Sequence, residues 1–157
     1  MTPHRPHPLA VLRASSFTIG ALLLLVGVGV LLGEPLLIPP LAASAALVHG
    51  APALPLSQPR NVIGGQLICA LTGFGVLAVT GRSTWGAAVA GGLALGATML
   101  AHLPHSPAAA TAVIVVLQGP SLLPFLPLLL LATVLLVAIG ALAGRLGPST
   151  VRYPLHW

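Results

Sequence analysis

Long uncharged apolar runs alternate along this chain with short polar breaks rich in proline and glycine. The run at residues 17–33 (FTIGALLLLVGVGVLLG) predicts a membrane-spanning helix, ended by Glu34-Pro35. A second span is predicted at 61–80, with Asn61 as N-cap and Gly81-Arg82-Ser83 as its stop. A third covers 84–101, where Gly86, Gly91, Gly92 and Gly96 offer a small face for close helix contact. The last covers about 122–143. Between these spans the pattern predicts two shorter helices, about 40–49 and 106–118. Each carries proline in its first turn, where the missing N–H is not needed. At 1.5 Å per residue each is roughly 15–20 Å long, short of a hydrocarbon core about 30 Å thick.

The short helices echo one another. PLAASAALV at 40–48 and PAAATAVIV at 107–115 share the leading Pro, three Ala positions and the final Val, and Ser44 matches Thr111 as a hydroxyl. The copies stand about half a chain apart, as expected of internal repeats that place broken helices at bilayer depth. The expected fold is therefore an all-α integral membrane protein: four main transmembrane helices plus two short Pro-headed broken or re-entrant helices, arranged as two internal repeats. The expected boundaries are an N-terminal tail at 1–16, a transmembrane domain at 17–144 (repeats at about 17–80 and 84–144) and a C-terminal tail at 145–157. The polar, proline-rich stretch before residue 17 is expected to be disordered. The short helices either dip and return, giving parallel repeats, or cross with help from extended backbone, giving inverted ones; crossing is favoured because inverted repeats are common in transporters.

Composition removes the soluble alternatives. Only 4% of the 157 residues are charged and 57% are hydrophobic, with a mean hydropathy of +1.06, whereas soluble domains carry about 25% charged residues. The net charge of +5 comes from arginines scattered at the ends of apolar runs (Arg5, Arg13, Arg60, Arg82, Arg145, Arg152) against one acid, Glu34. Nucleic-acid binding needs a clustered basic face instead. Scattered end charges set topology: whether the short helices return or cross, all but one arginine lies inside and both termini are cytoplasmic. Cys69, the one cysteine, has no intramolecular partner and sits in an apolar run as a packing residue. Residues 17–33 could pass for a signal-peptide core, but the run is long and no clean cleavage site follows, so an uncleaved first span is expected.

The breaks at 34–40, 50–61 and 102–107 should line an interior, because non-helical backbone at bilayer depth needs protein or a watery cavity to satisfy it. The first N–H groups and positive dipole ends of the two short helices, together with Arg60, would form an anion-attracting centre. Arg60 is the first candidate, with planar donors suited to small oxyanions; the alternative is an interfacial arginine that snorkels. His105 and His102, just before the second short helix, could gate, shuttle a proton or hold an anion, or simply bond backbone. Ser44 and Thr111 are either substrate contacts or hydroxyls that bond a carbonyl one turn back or glue two small-faced helices. Gln58, Asn61, Gln118 and Glu34 are weaker candidates that cap or line the breaks, and Glu34 could pair with Arg60 or Arg82. Gly64-Gly65 is a packing pair. His4 and His7 lack a carboxylate or thiol to complete a metal set, so no metal or cofactor is expected. With no Asp and no HExxH, GxSxG or phosphate loop, no enzymatic activity is expected.

The segments HSPAAATAVIVVL (105–117), SQPRNVIGGQL (57–67), LAASAALV (41–48) and RYPLHW (152–157) resemble, in order and over nearly the whole chain, the HPP family of small integral membrane proteins. QPRNVIGG and the RYPLHW-like ending are the most specific pieces. The resemblance implies a compact bundle of four main spans and a transport role, since chloroplast and cyanobacterial relatives are associated with nitrite movement. The name-giving His-Pro-Pro reads His105-Ser106-Pro107 here, and Ala109 replaces the glycine expected two places later. The expected function is thus a permease or channel for a small inorganic anion, nitrite-like, in a bacterial inner membrane. The rival is a non-transporting membrane protein that joins partner proteins through its glycine faces. The expected partners are the lipid bilayer and a small anion, with a homo-oligomer left open.

Overall fold

The computed structural model describes residues 7–146 and 152–157; Arg5 and His4 lie outside them. Six α-helices follow in order: α1 (Pro8–Leu32), α2 (Pro39–Gly50), α3 (Pro59–Thr80), α4 (Thr84–Leu100), α5 (Pro107–Gln118) and α6 (Leu122–Arg145), with a 3₁₀ turn at Pro55–Ser57 before α3. Three are long and apolar enough to cross a membrane: α1, α3 and α6, of 25, 22 and 24 residues. The expected fourth span, α4, has 17 residues, or about 25 Å, and α2 and α5 have 12 each. The first helix begins at Pro8, well ahead of residue 17, so the part of the N-terminal stretch expected to be disordered is helical from there. His7 caps it by accepting from the Leu9 amide through Nδ1.

Helix ends follow local chemistry. Gly33 ends α1 at φ 68°, a left-handed conformation that costs glycine little. Asn61 is not the N-cap of α3. Gln58 holds that position, and Asn61 sits inside the first turn and donates through Nδ2 to the Pro55 carbonyl at 2.7 Å. Ser83 caps α4 by accepting from the Gly86 amide at 3.1 Å.

The contacts between ends fix the direction of every helix. Near the start of α1, Arg13 donates to the carbonyls of Ala143 and Leu146 at the end of α6, where a cation is favoured by the helix dipole. The tail returns to the α2–α3 connection: the Tyr153 hydroxyl donates to the Ser57 carbonyl at 2.8 Å, and the Leu155 amide donates to Gln58 Oε1 at 2.9 Å. His105, just before α5, reaches the Leu56 carbonyl. All of these lie at one end of the bundle. At the other end, Arg82 of the α3–α4 turn donates to the Gly119 carbonyl after α5. Consecutive helices therefore run in opposite directions throughout, and α2 and α5 each continue across rather than turning back.

Among the described residues the core has three clusters. Two are built mainly from three helices each, and in a third Val48, Val62, Val137 and Tyr153 tie α2, α3, α6 and the tail together. Ala21, Leu25, Leu41, Ala45, Leu129, Ala132 and Leu136 join α1, α2 and α6. Cys69, Ala87, Ala90, Ala94, Ala108, Ala112 and Val116 join α3, α4 and α5. In the second group small residues bring backbones together: a Cβ on Gly73 would stand 2.8 Å from the Ala112 carbonyl oxygen. The contact face of α4 is formed chiefly by Ala87, Ala90, Ala94 and Thr98 with Gly86. Gly92 and Gly96, expected on that face, have nothing within 4 Å of an added Cβ. The outer surface carries many exposed large apolar side chains, among them Leu23, Val30, Leu31, Val79, Trp85, Leu100 and Leu123, as a lipid-facing surface requires.

Candidate functional site

Each short helix is preceded by a non-helical break that lies on glycine. Residues 33–38 fold back on α1, where a Cβ at Gly29 would come within 2.7 Å of the Glu34 carbonyl oxygen. Residues 101–106 lie on α3, where Cβ atoms at Gly64 and Gly65 would stand 2.8 Å from Leu103 Cδ1 and His105 Cβ. The Gly64-Gly65 pair is thus a packing feature with a function: it lets His105 reach the interior, where it is 2% exposed.

There His105 joins a buried polar chain that links the two short helices. Its Nδ1 lies 2.7 Å from the Leu56 carbonyl, and its Nε2 lies 2.8 Å from Ser44 Oγ on α2. Gln66 Nε2 of α3 donates to Ser44 Oγ at 3.0 Å, and the Thr111 hydroxyl of α5 donates to Gln66 Oε1. Ser44, Gln66 and Thr111 have no solvent exposure. The two echoed hydroxyls are therefore held by the two ends of one carboxamide.

Proton counting defines the chain further. A carbonyl only accepts, so His105 Nδ1 carries a hydrogen. Ser44 has one hydroxyl hydrogen and two acceptors within reach, His105 Nε2 and the Pro40 carbonyl at 2.9 Å. With His105 neutral, Ser44 donates to Nε2, and the donors run in one direction: Thr111 to Gln66 to Ser44 to His105 to Leu56.

A cavity of about 480 Å³ opens at the end holding both described termini, lined by Gln58, Arg60, Asn61, Met99, His102, Pro104, His156 and Trp157. Arg60 and His102 are exposed, and His102 adopts φ 53° as the chain leaves α4. Gln58 is fully buried. Its Nε2 donates to the Pro52 and Leu54 carbonyls while its Oε1 takes the tail amides, so it builds the cavity wall. A second cavity, of about 270 Å³, lies at the opposite end among Glu34, Leu36, Ile38, Leu41, Gln118, Ser121 and Phe125.

The expected residues thus divide. His105, Ser44 and Thr111 come together in the interior, while Arg60, His102, Gln58 and Asn61 gather at one mouth. Gln118 and Glu34 stand at the other mouth, so Glu34 cannot pair with Arg60, and Arg82 is engaged by Gly119. The expected convergence of two helix N-termini on one anion centre does not occur. Because α2 and α5 run in opposite directions, their positive ends face opposite cavities. Gln66 is the central residue that sequence reasoning passed over. The signal was a single amide inside an otherwise apolar run, which in a membrane span marks a functional position.

An all-helical bundle with an apolar outer surface, long spanning helices and a buried polar chain defines a multi-pass integral membrane protein. The family model described as HPP, transmembrane region, matches residues 3–154, and the chain belongs to this family. No curated protein and no solved structure matches it.

Proposed function

We propose that this protein is a permease for a small inorganic anion such as nitrite, without enzymatic activity. It would lie in the bacterial inner membrane with both termini cytoplasmic. The observation that carries this reading is the pair of end cavities separated by the buried chain His105–Ser44–Gln66–Thr111. One mouth is lined by Arg60, His102 and His156, with no acidic side chain among its lining residues. The single acid of the sequence stands at the far mouth.

The antiparallel short helices support a reading as inverted repeats, α1–α2–α3 and α4–α5–α6. On that reading each short helix packs with the third helix of the other repeat, α2 with α6 and α5 with α3. Such folds place their substrate path at the repeat interface. It is also at this interface that Gln66 joins Ser44 to Thr111. The four main helices would be α1, α3, α4 and α6, with further copies of the chain able to seal the bundle.

Flux in proteoliposomes tests the proposal. The wild-type protein is expected to move nitrite down its gradient, and Arg60→Gln to lower uptake at low nitrite about tenfold while leaving the fold intact, since Arg60 is exposed and bonds no described residue. If wild-type protein moves no small anion, the permease reading is wrong and a non-transporting role takes its place.

A further inference from the structure

We propose that His105 is a proton-binding site coupled to anion binding, so that the permease carries a proton with each anion. The inference rests on the permease reading above and adds the coupling ion and the residue that holds it.

The argument starts from the single hydrogen of Ser44. In the neutral state of His105 it points to Nε2. When Nε2 takes a proton from a hydronium ion, one N–H bond forms, one O–H bond of the hydronium breaks to leave water, and Nε2 becomes a donor. The Ser44 hydroxyl then turns to the Pro40 carbonyl, 2.9 Å away, and its oxygen accepts from His105 and Gln66 together. Nδ1 keeps its bond to Leu56, and Gln66 keeps Thr111. No polar atom of the chain loses a partner in either state. A histidine serving structure alone needs one satisfied protonation state; here the surroundings accommodate two, through rotation of one hydroxyl.

Charge supplies the coupling. The protonated ring would be a buried cation, and burying a charge without a partner is strongly unfavourable. The side chains around His105 supply no anion. The titratable side chains on the surrounding elements are His49 on α2, Arg60 and Cys69 on α3, His102 in the same break, and Arg152, Tyr153 and His156 of the tail; none is a carboxylic acid, and none hydrogen-bonds His105. His49 stacks on Phe17, and Tyr153 is engaged by Ser57. The protonated state therefore needs an anion from outside, and Pro104, the residue before His105, lines the cationic mouth. Proton and anion favour one another's binding, and by linkage each raises the affinity for the other by the same factor.

Two measurements on the full chain test the proposal. In lipid nanodiscs, nitrogen NMR of ¹⁵N-histidine-labelled protein, assigned by loss of a signal in His105→Gln, should show neutral His105 protonated on Nδ1 alone. Acid should convert it to the doubly protonated ring, at a higher pH when sodium nitrite is present. A neutral ring protonated on Nε2, or a midpoint indifferent to nitrite, overturns the proposal without reference to any variant's folding. In proteoliposomes, with protein-free vesicles subtracted for nitrous acid leak, wild-type uptake should carry protons inward and follow a pH gradient. His105→Asn keeps a donor for Leu56 but cannot ionise. It should lose gradient-driven nitrite accumulation at least tenfold, and whatever uptake remains should no longer change with external pH. Nitrite uptake without proton uptake overturns the coupling and leaves the permease standing; absence of any nitrite flux overturns both.

Discussion

Gln66 offers its carbonyl to Thr111 and its amino group to Ser44, and leucine in its place would keep much the same volume while removing both partners. The Thr111 hydroxyl would then be buried without its acceptor, although a backbone carbonyl one turn back could partly replace it. Losing a buried partner typically costs about 1–3 kcal/mol. Gln66→Leu is expected to lower unfolding stability in detergent by that amount and to abolish anion flux. Thr111→Val in the same background should then cost little more, because the interaction it would break is already gone. Additive losses in the double variant, read from denaturant unfolding, would mean that the two side chains act independently.

Within a single helix some glycines carry packing and others face outward. A methyl group at Gly73 meets the backbone of Ala112 at under 3 Å, which no rotamer change relieves, so α3 and α5 would have to separate. Gly73→Ala is expected to destabilise by roughly 1–3 kcal/mol, whereas Gly92→Ala, with open space around it, should stay within about 0.5 kcal/mol of wild type. Equal effects in a thermal unfolding comparison would contradict the packing of α3 on α5. At this scale the sequence was partly legible. The echo at Ser44 and Thr111 located the short helices within a residue or so, because proline and glycine punctuate the chain locally. Of the four glycines expected on the packing face of α4, Gly86 and Gly91 lie there and Gly92 and Gly96 do not, because periodicity alone does not say which face of an apolar helix meets protein and which meets lipid. The expectation that both short-helix N-termini share one site failed for a geometric reason: antiparallel dipoles cannot point the same way. His105 was legible from its place before Pro107, but its bond to Ser44 spans separate halves of the chain, and no local pattern encodes that.

For the molecule as a whole, charge is segregated by end. Arg13, Arg60 and Arg145 stand at the end that holds both described termini, with Arg152 in the returning tail, while Arg82 stands at the other. Under the positive-inside rule the first end is expected to be the cytoplasmic one. In a Cys69→Ala background, Arg60→Cys and Arg82→Cys should therefore react with a membrane-impermeant maleimide from opposite faces, Arg60→Cys from the cytoplasmic one. The reverse result, Arg60→Cys from the outer face and Arg82→Cys from the cytoplasmic one, would mean that the short helices return instead of crossing. The tail bears on how such a molecule comes into being. Tyr153 settles against Gly140 and Gly144, and the following residues close the wall around Gln58 and supply His156 and Trp157 to the mouth. These residues follow all six helices in chain order. During synthesis the bundle can therefore insert helix by helix while its cationic mouth is still unfinished, and the mouth acquires its final shape only after α6 has left the ribosome. A nascent permease of this design would be a membrane protein before it is a transporter.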